Sequence, residues 1–353
     1  MTTINRPFFS ILVPSYNRPF ELKRCLNSIM RSSFNNFEVI VSDDNSPLRE
    51  EISEIINCFS GNPKVIFHQQ PSNLKEPGNK SFLTTKATGE FNIVIGDDDV
   101  LGYNTLSLIY NFVCKNPNYD IYGLGYFIAD ENNKLLSVHC SPKATILTSE
   151  KNMRYLFEFG VSPMGFMHPA TFCCRTGIEL ALPYRDDVGI GEDLCFLLQA
   201  AARGHSIITI PMPLFNWRKV QDIGSVTQGN QSAERLSSIR AKSRIYEIIK
   251  NEPFAEKVLK DYISSPSYRF KFLYMEVLRD PLAVSLSAEE LGIEQNMYRE
   301  LTGYSRSWTS RFSIRLRRLI NFLDLCKILG VPLAVKWVLT SIVFRIKAAH
   351  NGV

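Results

Sequence analysis

The stretch FNIVIGDDD, residues 91–99, joins an apolar run to three consecutive aspartates. Its apolar part has the length and composition of a buried β-strand. Two unit charges about 4 Å apart repel by roughly 4 kcal/mol at an effective dielectric constant of about 20, so three acids at the end of a buried strand destabilise the fold unless a cation belongs there. The stretch therefore predicts a strand that ends in a cation-binding group formed by Asp97, Asp98 and Asp99.

Other apolar runs alternate along the chain with segments of helical periodicity. The predicted strands are 8–14, 37–44, 64–70, 91–99 and 119–128, and the predicted helices are 19–32, 48–59 and 104–115. In the first of these helices, Leu22, Cys25, Leu26 and Ile29 form one apolar stripe. Strands that alternate with helices at short spacing predict an α/β domain with a mostly parallel sheet covered by helices on both faces.

Polar residues follow three of the predicted strands, at 14–17, 42–46 and 96–99. In open α/β sheets, ligands bind at the carboxyl ends of the strands, so these segments predict one site. No G-x-G-x-x-G follows the first strand and no G-x-x-x-x-G-K-[ST] occurs, so the sequence does not predict a glycine-rich phosphate loop. Carboxylates instead favour Mg²⁺ or Mn²⁺, with substrate phosphates supplying further oxygens.

Four motifs taken in series resemble those of the GT-A-fold, family-2 inverting glycosyltransferases. They are ILVPSYNRP at 11–19, VIVSDDNS at 39–46, IGDDD at 95–99 and GED at 191–193. The resemblance covers about residues 8–220. It implies a Rossmann-like GT-A sheet flanked by helices, a nucleotide-diphosphate sugar donor with UDP as the expected nucleotide, and Mn²⁺ or Mg²⁺ as cofactor.

The resemblance also implies roles for individual donor-site residues. Pro14, Tyr16 and Asn17 match the loop that packs around the nucleotide base and ribose, and Asp44 matches the aspartate that hydrogen-bonds the base. Asp43, its neighbour, is left open between a ligand contact and a turn residue. A Ser-Asp-Asp-Asn-Ser run alone is often only a turn capped by its own side chains.

Within the D-x-D region of such enzymes, one acid contacts the ribose and another binds the metal. The resemblance assigns Asp97 to the ribose side and Asp98 to the metal as its main ligand, with Asp99 as the further metal candidate. Because three aspartates run together, an alignment shifted by one residue stays open.

The resemblance places the chemistry at Glu192 and Asp193, the E-D pair near the start of a helix, with Asp193 as the catalytic base. In an inverting transfer, the acceptor hydroxyl attacks the anomeric carbon from the face opposite the nucleotide, and a carboxylate takes its proton. Positioned general bases contribute about 10²- to 10⁴-fold. The alternative is a pair of acids in a first helical turn, where the helix dipole favours negative charge.

Three further expectations concern the surroundings of this site. Arg218 is the predicted diphosphate contact, since a fixed cationic fork suits phosphate, and His168 is the acceptor-side candidate, with a purely structural histidine as its alternative. Many relatives carry an Arg-Asn pair before the D-x-D strand, but this chain has Gly78 before Asn79. Nearby lysines at 75 and 80 are the candidates to replace that arginine.

Charge divides the chain unevenly. Residues 306–353 carry a balance of +8 and the remainder a balance of −3. The segment 306–347 combines these basic residues with apolar runs too short for a spanning helix, which predicts docking on an anionic membrane surface; a solvated helical subdomain or an oligomer interface is the alternative. Basic residues without interleaved aromatic platforms do not predict nucleic-acid binding.

The predicted organisation is a catalytic GT-A domain over 1–230 and a helical C-terminal region over 231–353. The first residues lack the pattern of a secretory signal, so the expected location is the cytoplasm, peripheral at the inner face of the membrane. The eight cysteines show no disulfide framework or zinc spacing.

The sequence therefore predicts a metal-dependent inverting hexosyltransferase that extends a glycan or a lipid-linked glycan in surface polysaccharide (O-antigen or capsule) biosynthesis. Two alternatives are a sugar nucleotidyltransferase and a non-catalytic, glycosyltransferase-like scaffold subunit. The first would be expected to carry a glycine-rich basic signature early in the chain, where this chain has PSYNRP.

Overall fold

The computed structural model describes residues 6–130 except 60 and 63, residues 134–148, residues 171–218 except 190, and residues 244–255 except 246. The chain divides into two compact units, Met1–Arg269 and Phe270–Val353, and every described residue belongs to the first. The predicted boundary at 230/231, the C-terminal helical region and the basic segment 306–347 lie outside the described residues. No helix in the described part of the chain is long and apolar enough to cross a membrane.

The described strands and helices are as follows. The strands are β1 Phe9–Ser15, β2 Phe37–Asp43, β3 Val65–Gln69, β4 Phe91–Val94, β5 Val100–Leu101, β6 Ile121–Ala129, β7 Leu135–His139, β8 Thr145–Ile146, β9 Phe172–Arg175 and β10 Ile207–Arg218. The helices are α1 Pro19–Met30, α2 Arg49–Asn57, α3 Lys75–Lys86, α4 Thr105–Lys115, α5 Thr176–Ala181 and α6 Glu192–Ala202.

One sheet joins all the described strands. Its order is β3-β2-β1-β4-β9-β6-β10-β5, with β7 added beside β6 and β8 beside β10. Along this path only β9 and β5 run against the other strands. The prediction of a mostly parallel sheet flanked by helices is therefore confirmed for the described domain.

The sheet core explains why the first two strands are apolar throughout. Every residue of β2 is buried, as are six of the seven residues of β1, because helices cover both faces of the sheet. The predicted stripe of α1 is also confirmed, since Leu22, Cys25, Leu26 and Ile29 are completely buried. Pro19 begins this helix at a position where its missing N–H costs nothing.

Strand register brings the polar strand ends together. Ser15 of β1 pairs with Asp43 of β2, and both are the last residues of their strands. On the other side of β1, β4 ends at Val94, and Ile95 still donates its N–H to the carbonyl of Leu12. The strand predicted for 91–99 is thus shorter than expected: the aspartates form a turn beyond it, which frees their carboxylates from the sheet.

Candidate functional site

The loop after β1 is tied to both neighbouring strand ends. Ser15 Oγ donates to Asp97 Oδ2 at 2.9 Å, and the N–H of Tyr16 donates to the same oxygen at 3.4 Å. Asn17 has a left-handed backbone (φ +59°), a conformation that asparagine tolerates, and its N–H donates to Ser46 Oγ at 3.0 Å. Pro14 keeps the preceding residue extended in β1. The predicted nucleoside loop therefore lies at this edge.

Asp43 and Asp44 at the end of β2 are both buried but are used differently. Asp44 Oδ1 accepts the N–H of Leu74 at 2.7 Å, which anchors the start of α3. Asp43 Oδ2 accepts the N–H of Ser46 at 3.3 Å, whereas its buried Oδ1 has no hydrogen-bond partner in the described structure. Burial raises the pKa of both carboxyls. An unpaired buried oxygen makes Asp43, which the sequence left open, a second candidate for the nucleoside contact.

Asp97 is the buried member of the aspartate triplet. Its carboxylate accepts the two hydrogen bonds from the loop after β1 and faces Arg18, whose Nη1 is 3.4 Å from Oδ1. Burial, reinforced by the charge of Asp98, raises its pKa to about 7 against the opposing effect of Arg18. Asp97 therefore links the triplet to the predicted nucleoside loop.

Asp98 is the more accessible acid, with 40% of its side chain exposed. Its Oδ2 lies 2.7 Å from Arg18 Nη1, and its backbone carbonyl accepts a hydrogen bond from Arg24 Nη2 at 2.9 Å. Arg18, Asp97 and Asp98 are called the Arg18 cluster below. Sequence analysis did not single out Arg18, although it lies within the quoted motif PSYNRP.

The space around Gly96 tests whether the turn fits a metal ion. A methyl group placed on Gly96 would lie 2.9 Å from Asp98 Oδ1 and 3.0 Å from Asp99 Oδ2, so these two oxygens converge on one small cradle. In the described part of the chain, no three His, Cys, Asp or Glu side chains group to hold a metal by themselves. Mg²⁺ commonly binds through one or two carboxylates plus substrate phosphates, and the pair Asp98 and Asp99 fits that arrangement.

Helix α3 brings a second group of charges to the site. Asn79 Nδ2 donates to the carbonyl of Ser42 at 3.1 Å, which fixes the helix against the end of β2. Lys75 pairs with Asp186 at the surface, 2.9 Å away. Lys80 is buried, and its Nζ contacts three carboxylates. Neither candidate to replace the missing arginine therefore has a free ammonium group in this arrangement.

The E-D pair begins helix α6, as the sequence predicted, and Gly191 before it has a φ of +125° that favours glycine. Lys80 Nζ lies 3.0 Å from Glu192 Oε1 and 3.1 Å from both oxygens of Asp193. It also lies 2.9 Å from Glu76 Oε1. These four residues are called the Lys80 cluster below.

Electrostatics distinguish the members of the Lys80 cluster. Burial, the largest effect, raises the pKa of Asp193 to about 7; Lys80 opposes the shift, and Glu192 and Glu76 add to it. The facing acids raise the pKa of Lys80 well above its ordinary value although burial opposes them. Lys80 in turn lowers the pKa of Glu76, and the charge of Arg18 contributes to that lowering. The pKa of Glu76 therefore reflects charges from both clusters.

The structure describes the backbone of Arg218 but does not describe His168. Strand β10 ends at Arg218, and its Asn216 pairs with Val100, the residue directly after the triplet. The backbone of β10 therefore passes beside the aspartate turn, while the side chain of Arg218 lies outside the described structure. His168 also lies outside the described residues, so both assignments stay predictions.

Comparison with solved structures identifies the fold. The structure of residues 1–349 of TarS from Staphylococcus aureus, in complex with UDP-GlcNAc, superposes with a TM-score of 0.59 at 18% identity and covers 84% of this chain and 79% of that one. The mannosyltransferase PcManGT from Pyrobaculum calidifontis, in complex with GDP-Man and Mn²⁺, gives a TM-score of 0.51 at 15% identity, covering 90% and 88%. The described domain has the GT-A fold.

Sequence comparison identifies the family. Residues 10–175 match the model for glycosyl transferase family 2, and this part of the chain belongs to that family. A Campylobacter jejuni relative, the GalNAc(5)-diNAcBac-PP-undecaprenol beta-1,3-glucosyltransferase, is 32% identical over 105 residues, which are 29% of this chain and 33% of the relative. The chain thus aligns with about a third of that relative's length. The family resemblance inferred from the motifs is confirmed.

Proposed function

We propose that this chain is an inverting glycosyltransferase that moves a sugar of hexosyl type from a nucleoside diphosphate to a glycan acceptor. One observation carries the proposal: ion pairs form a series, with Asp98 beside Arg18 at the strand ends and Lys80 of α3 between Glu76 and Asp193. This series runs from the acids expected at the donor diphosphate to the carboxylate expected at the acceptor hydroxyl. A transfer reaction needs both in one site.

The donor half of the proposal rests on the strand ends. Asp43 or Asp44 would hydrogen-bond the base, Tyr16 and Asn17 would contact it, and Asp97 would face the ribose. Asp98 and Asp99 would hold Mn²⁺ or Mg²⁺, which when bound supplies charge neutralisation to the leaving diphosphate. The UDP-GlcNAc complex of the TarS structure supports UDP as the nucleotide to test first.

The chemical half rests on Asp193. Its carboxylate would take the proton of the acceptor hydroxyl while the new bond forms between that oxygen and the anomeric carbon. The bond between the anomeric carbon and the diphosphate oxygen breaks in the same step, so the anomeric configuration inverts. A pKa of about 7 suits this role, because a base whose pKa is near the operating pH is ionised and still basic enough to accept a proton.

The proposed acceptor rests on the name of one relative and on the C-terminal segment. The name of the Campylobacter jejuni relative supports an acceptor built on a polyprenyl diphosphate, as in surface polysaccharide assembly. The basic, apolar segment 306–347 would then hold the chain at the inner face of the cytoplasmic membrane. His168 and Arg218 complete the proposed acceptor and diphosphate contacts.

A thermal-shift panel tests the donor site directly. The full chain is measured with UDP, GDP, dTDP and CMP, each with Mn²⁺, Mg²⁺ or EDTA. A ligand at about 100 times its Kd stabilises the folded state by about 2.7 kcal/mol, so a true site gives a visible shift. The proposal expects a shift for one nucleotide that is lost with EDTA and in Asp98→Ala; no shift with any nucleotide, with or without anionic liposomes, contradicts it.

Transfer itself is tested with the nucleotide sugar so identified and Asp193→Asn. Transfer should fall by about 10²- to 10⁴-fold with unchanged nucleotide affinity. Asp187→Asn, which changes an exposed acid shortly before α6, is the matched control. NMR of the product decides between inversion and retention. An active Asp193→Asn enzyme rejects the base, and nucleotide binding without transfer favours the scaffold alternative.

A further inference from the structure

Lys80 lies where three acidic side chains meet, although it is buried in a helix packed against the sheet. Only 3% of its side chain is exposed, against 10% for Glu192 and 16% for Asp193. An ammonium group has three N–H donors, and here three carboxylates lie between 2.9 and 3.1 Å from Nζ. The donors are therefore all used within the Lys80 cluster.

We propose that Lys80 is the positioning residue of the general base: it holds both oxygens of the Asp193 carboxylate in one orientation and keeps that carboxylate ionised near neutral pH. This inference deepens the proposed function and rests on it for the role of Asp193. In this role, α3 positions the base through Lys80 and does not contact the diphosphate, which is the contact that the sequence predicted for this helix.

Charge balance supports this role. The Lys80 cluster contains three carboxylates and one ammonium, so full ionisation leaves an excess of two negative charges in a mostly buried site. Such an excess favours protonation of one acid of the cluster. The pKa of Asp193, raised to about 7, identifies it as that acid, and Lys80 is the main group opposing a further rise.

The charged and titratable groups that face Asp193 in the described structure come from α3, α5 and α6 and from the turn after α5. From α3 these are Glu76 and Lys80, from α6 Glu192, and from α5 and the following turn Glu179 and Tyr184. Among them Lys80 is the single cation in the described structure. Its removal would leave the base among acids alone.

A purely structural role is the competing explanation. Lys80 connects α3 to α6 across 113 residues of sequence, and such a link could serve only to fasten two helices together. In that case, removing it would lower stability but would not change the pH at which the base ionises. Stability and pH dependence therefore separate the two explanations.

The experiment measures pH–rate profiles between about pH 5 and 10 for the wild-type chain and four variants. The acid limb is the part of the profile in which kcat rises as the base loses its proton. Lys80→Met should move this limb to higher pH by about 1–3 units, because an adjacent opposite charge shifts a carboxyl pKa by that amount. The donor KM should not change. Glu76→Gln, at a half-exposed position, should move the acid limb downward by up to about one unit. Lys86→Met, at the exposed end of α3, is the control and should match the wild type.

Lys80→Arg supplies a conservative rescue, and it should return the acid limb toward the wild-type position because the positive charge is kept. Glu76→Gln keeps the test valid if Lys80→Met does not fold, since it removes only a half-exposed charge. An acid limb that moves with neither Lys80→Met nor Glu76→Gln overturns the proposal, as does a Lys80→Met effect confined to donor KM.

A measurement without substrate separates this inference from the proposed function. Because the folded pKa of Asp193 exceeds its unfolded value, the contribution of this carboxyl to the unfolding free energy falls between about pH 4 and 7 and then levels off. The difference between each chain and its Asp193→Asn counterpart isolates this contribution from those of Asp97 and Glu179, whose pKa values are raised to the same range. The pH at which this fall ends is called the levelling point. It should move upward in Lys80→Met and downward in Glu76→Gln. Adding Asp193→Asn to either variant should abolish the shift. A wild-type chain that transfers no sugar refutes the proposed function, whereas an unmoved levelling point refutes the role of Lys80.

Discussion

Arg18 and Lys80 each lie between carboxylates, but Arg18 keeps 29% of its side chain exposed and Lys80 keeps 3%. The acids also differ: Asp98 is 40% exposed beside Arg18, whereas Asp193 is 16% exposed beside Lys80. An exposed guanidinium can give up its carboxylate to an incoming cation with water replacing the contact. A buried ammonium cannot give up its carboxylates in this way, because no water is present to solvate the charges that would be left unpaired.

The comparison suggests different tasks for the two cations. In the proposed function, the partly exposed pair of Arg18 and Asp98 would let Asp98 exchange the arginine for the metal cofactor when the donor binds. The buried ion pairs of the Lys80 cluster would instead persist, so that Asp193 keeps the same orientation with and without ligand. Each of the following measurements either separates the two clusters further or shows that they behave alike.

The largest difference is expected in stability when each cation is replaced by methionine. Lys80→Met should lower the unfolding free energy by about 3–5 kcal/mol, because it leaves buried carboxylates without a partner. Arg18→Met should lower it by about 1 kcal/mol, as for partly exposed pairs. Urea unfolding of both variants near neutral pH measures the difference, and equal losses would show that burial does not distinguish the two cations.

An intermediate effect on the unfolding free energy is expected at Glu179, a buried carboxyl without an ion pair in the described structure. Glu179 accepts a hydrogen bond from Tyr184 Oη at 2.7 Å, and no cation lies within ion-pair distance of it among the described residues. Burial raises its pKa to about 7 from an ordinary 4.5. Its contribution to stability is therefore present below about pH 4.5 and is lost as the pH rises to about 7.

Glu179→Gln should remove this pH dependence. Because one pKa unit corresponds to about 1.4 kcal/mol, the stability of the variant relative to wild type should rise by about 3 kcal/mol between pH 4 and pH 8. Urea unfolding at several pH values measures that change, and the comparison within one variant cancels the pH-independent cost of the new side chain. A constant difference across this range would show that Glu179 is not protonated in the folded state.

The smallest effect is expected at the surface. Hydrogen bonds from Arg185 and Arg244 hold the pKa of Asp187 well below its usual range, although all three side chains are well exposed. Asp187→Asn should nevertheless change the unfolding free energy by less than about 1 kcal/mol, and added salt should reduce even that. A loss as large as that of Lys80→Met would mean that burial does not control these ion pairs.

The sequence predicted the elements that depend on local pattern. Apolar runs identified β1 to β3, the apolar stripe identified the buried face of α1, and α6 begins at the acidic pair as expected. The motifs also predicted the fold class and the family. These predictions succeed because strand and helix periodicity and turn residues are properties of short segments.

The ion pairs of the site depend on three-dimensional packing and could not be predicted from the sequence. Arg18 reaches Asp97 across 79 residues of sequence and Lys80 reaches Asp193 across 113, so no local pattern links them. The same holds for β9, which enters the sheet antiparallel between β4 and β6. Such pairings follow from how helices and strands pack. Packing also sets the burial of each cation, and burial is the physical difference between the partly exposed Arg18 and the buried Lys80.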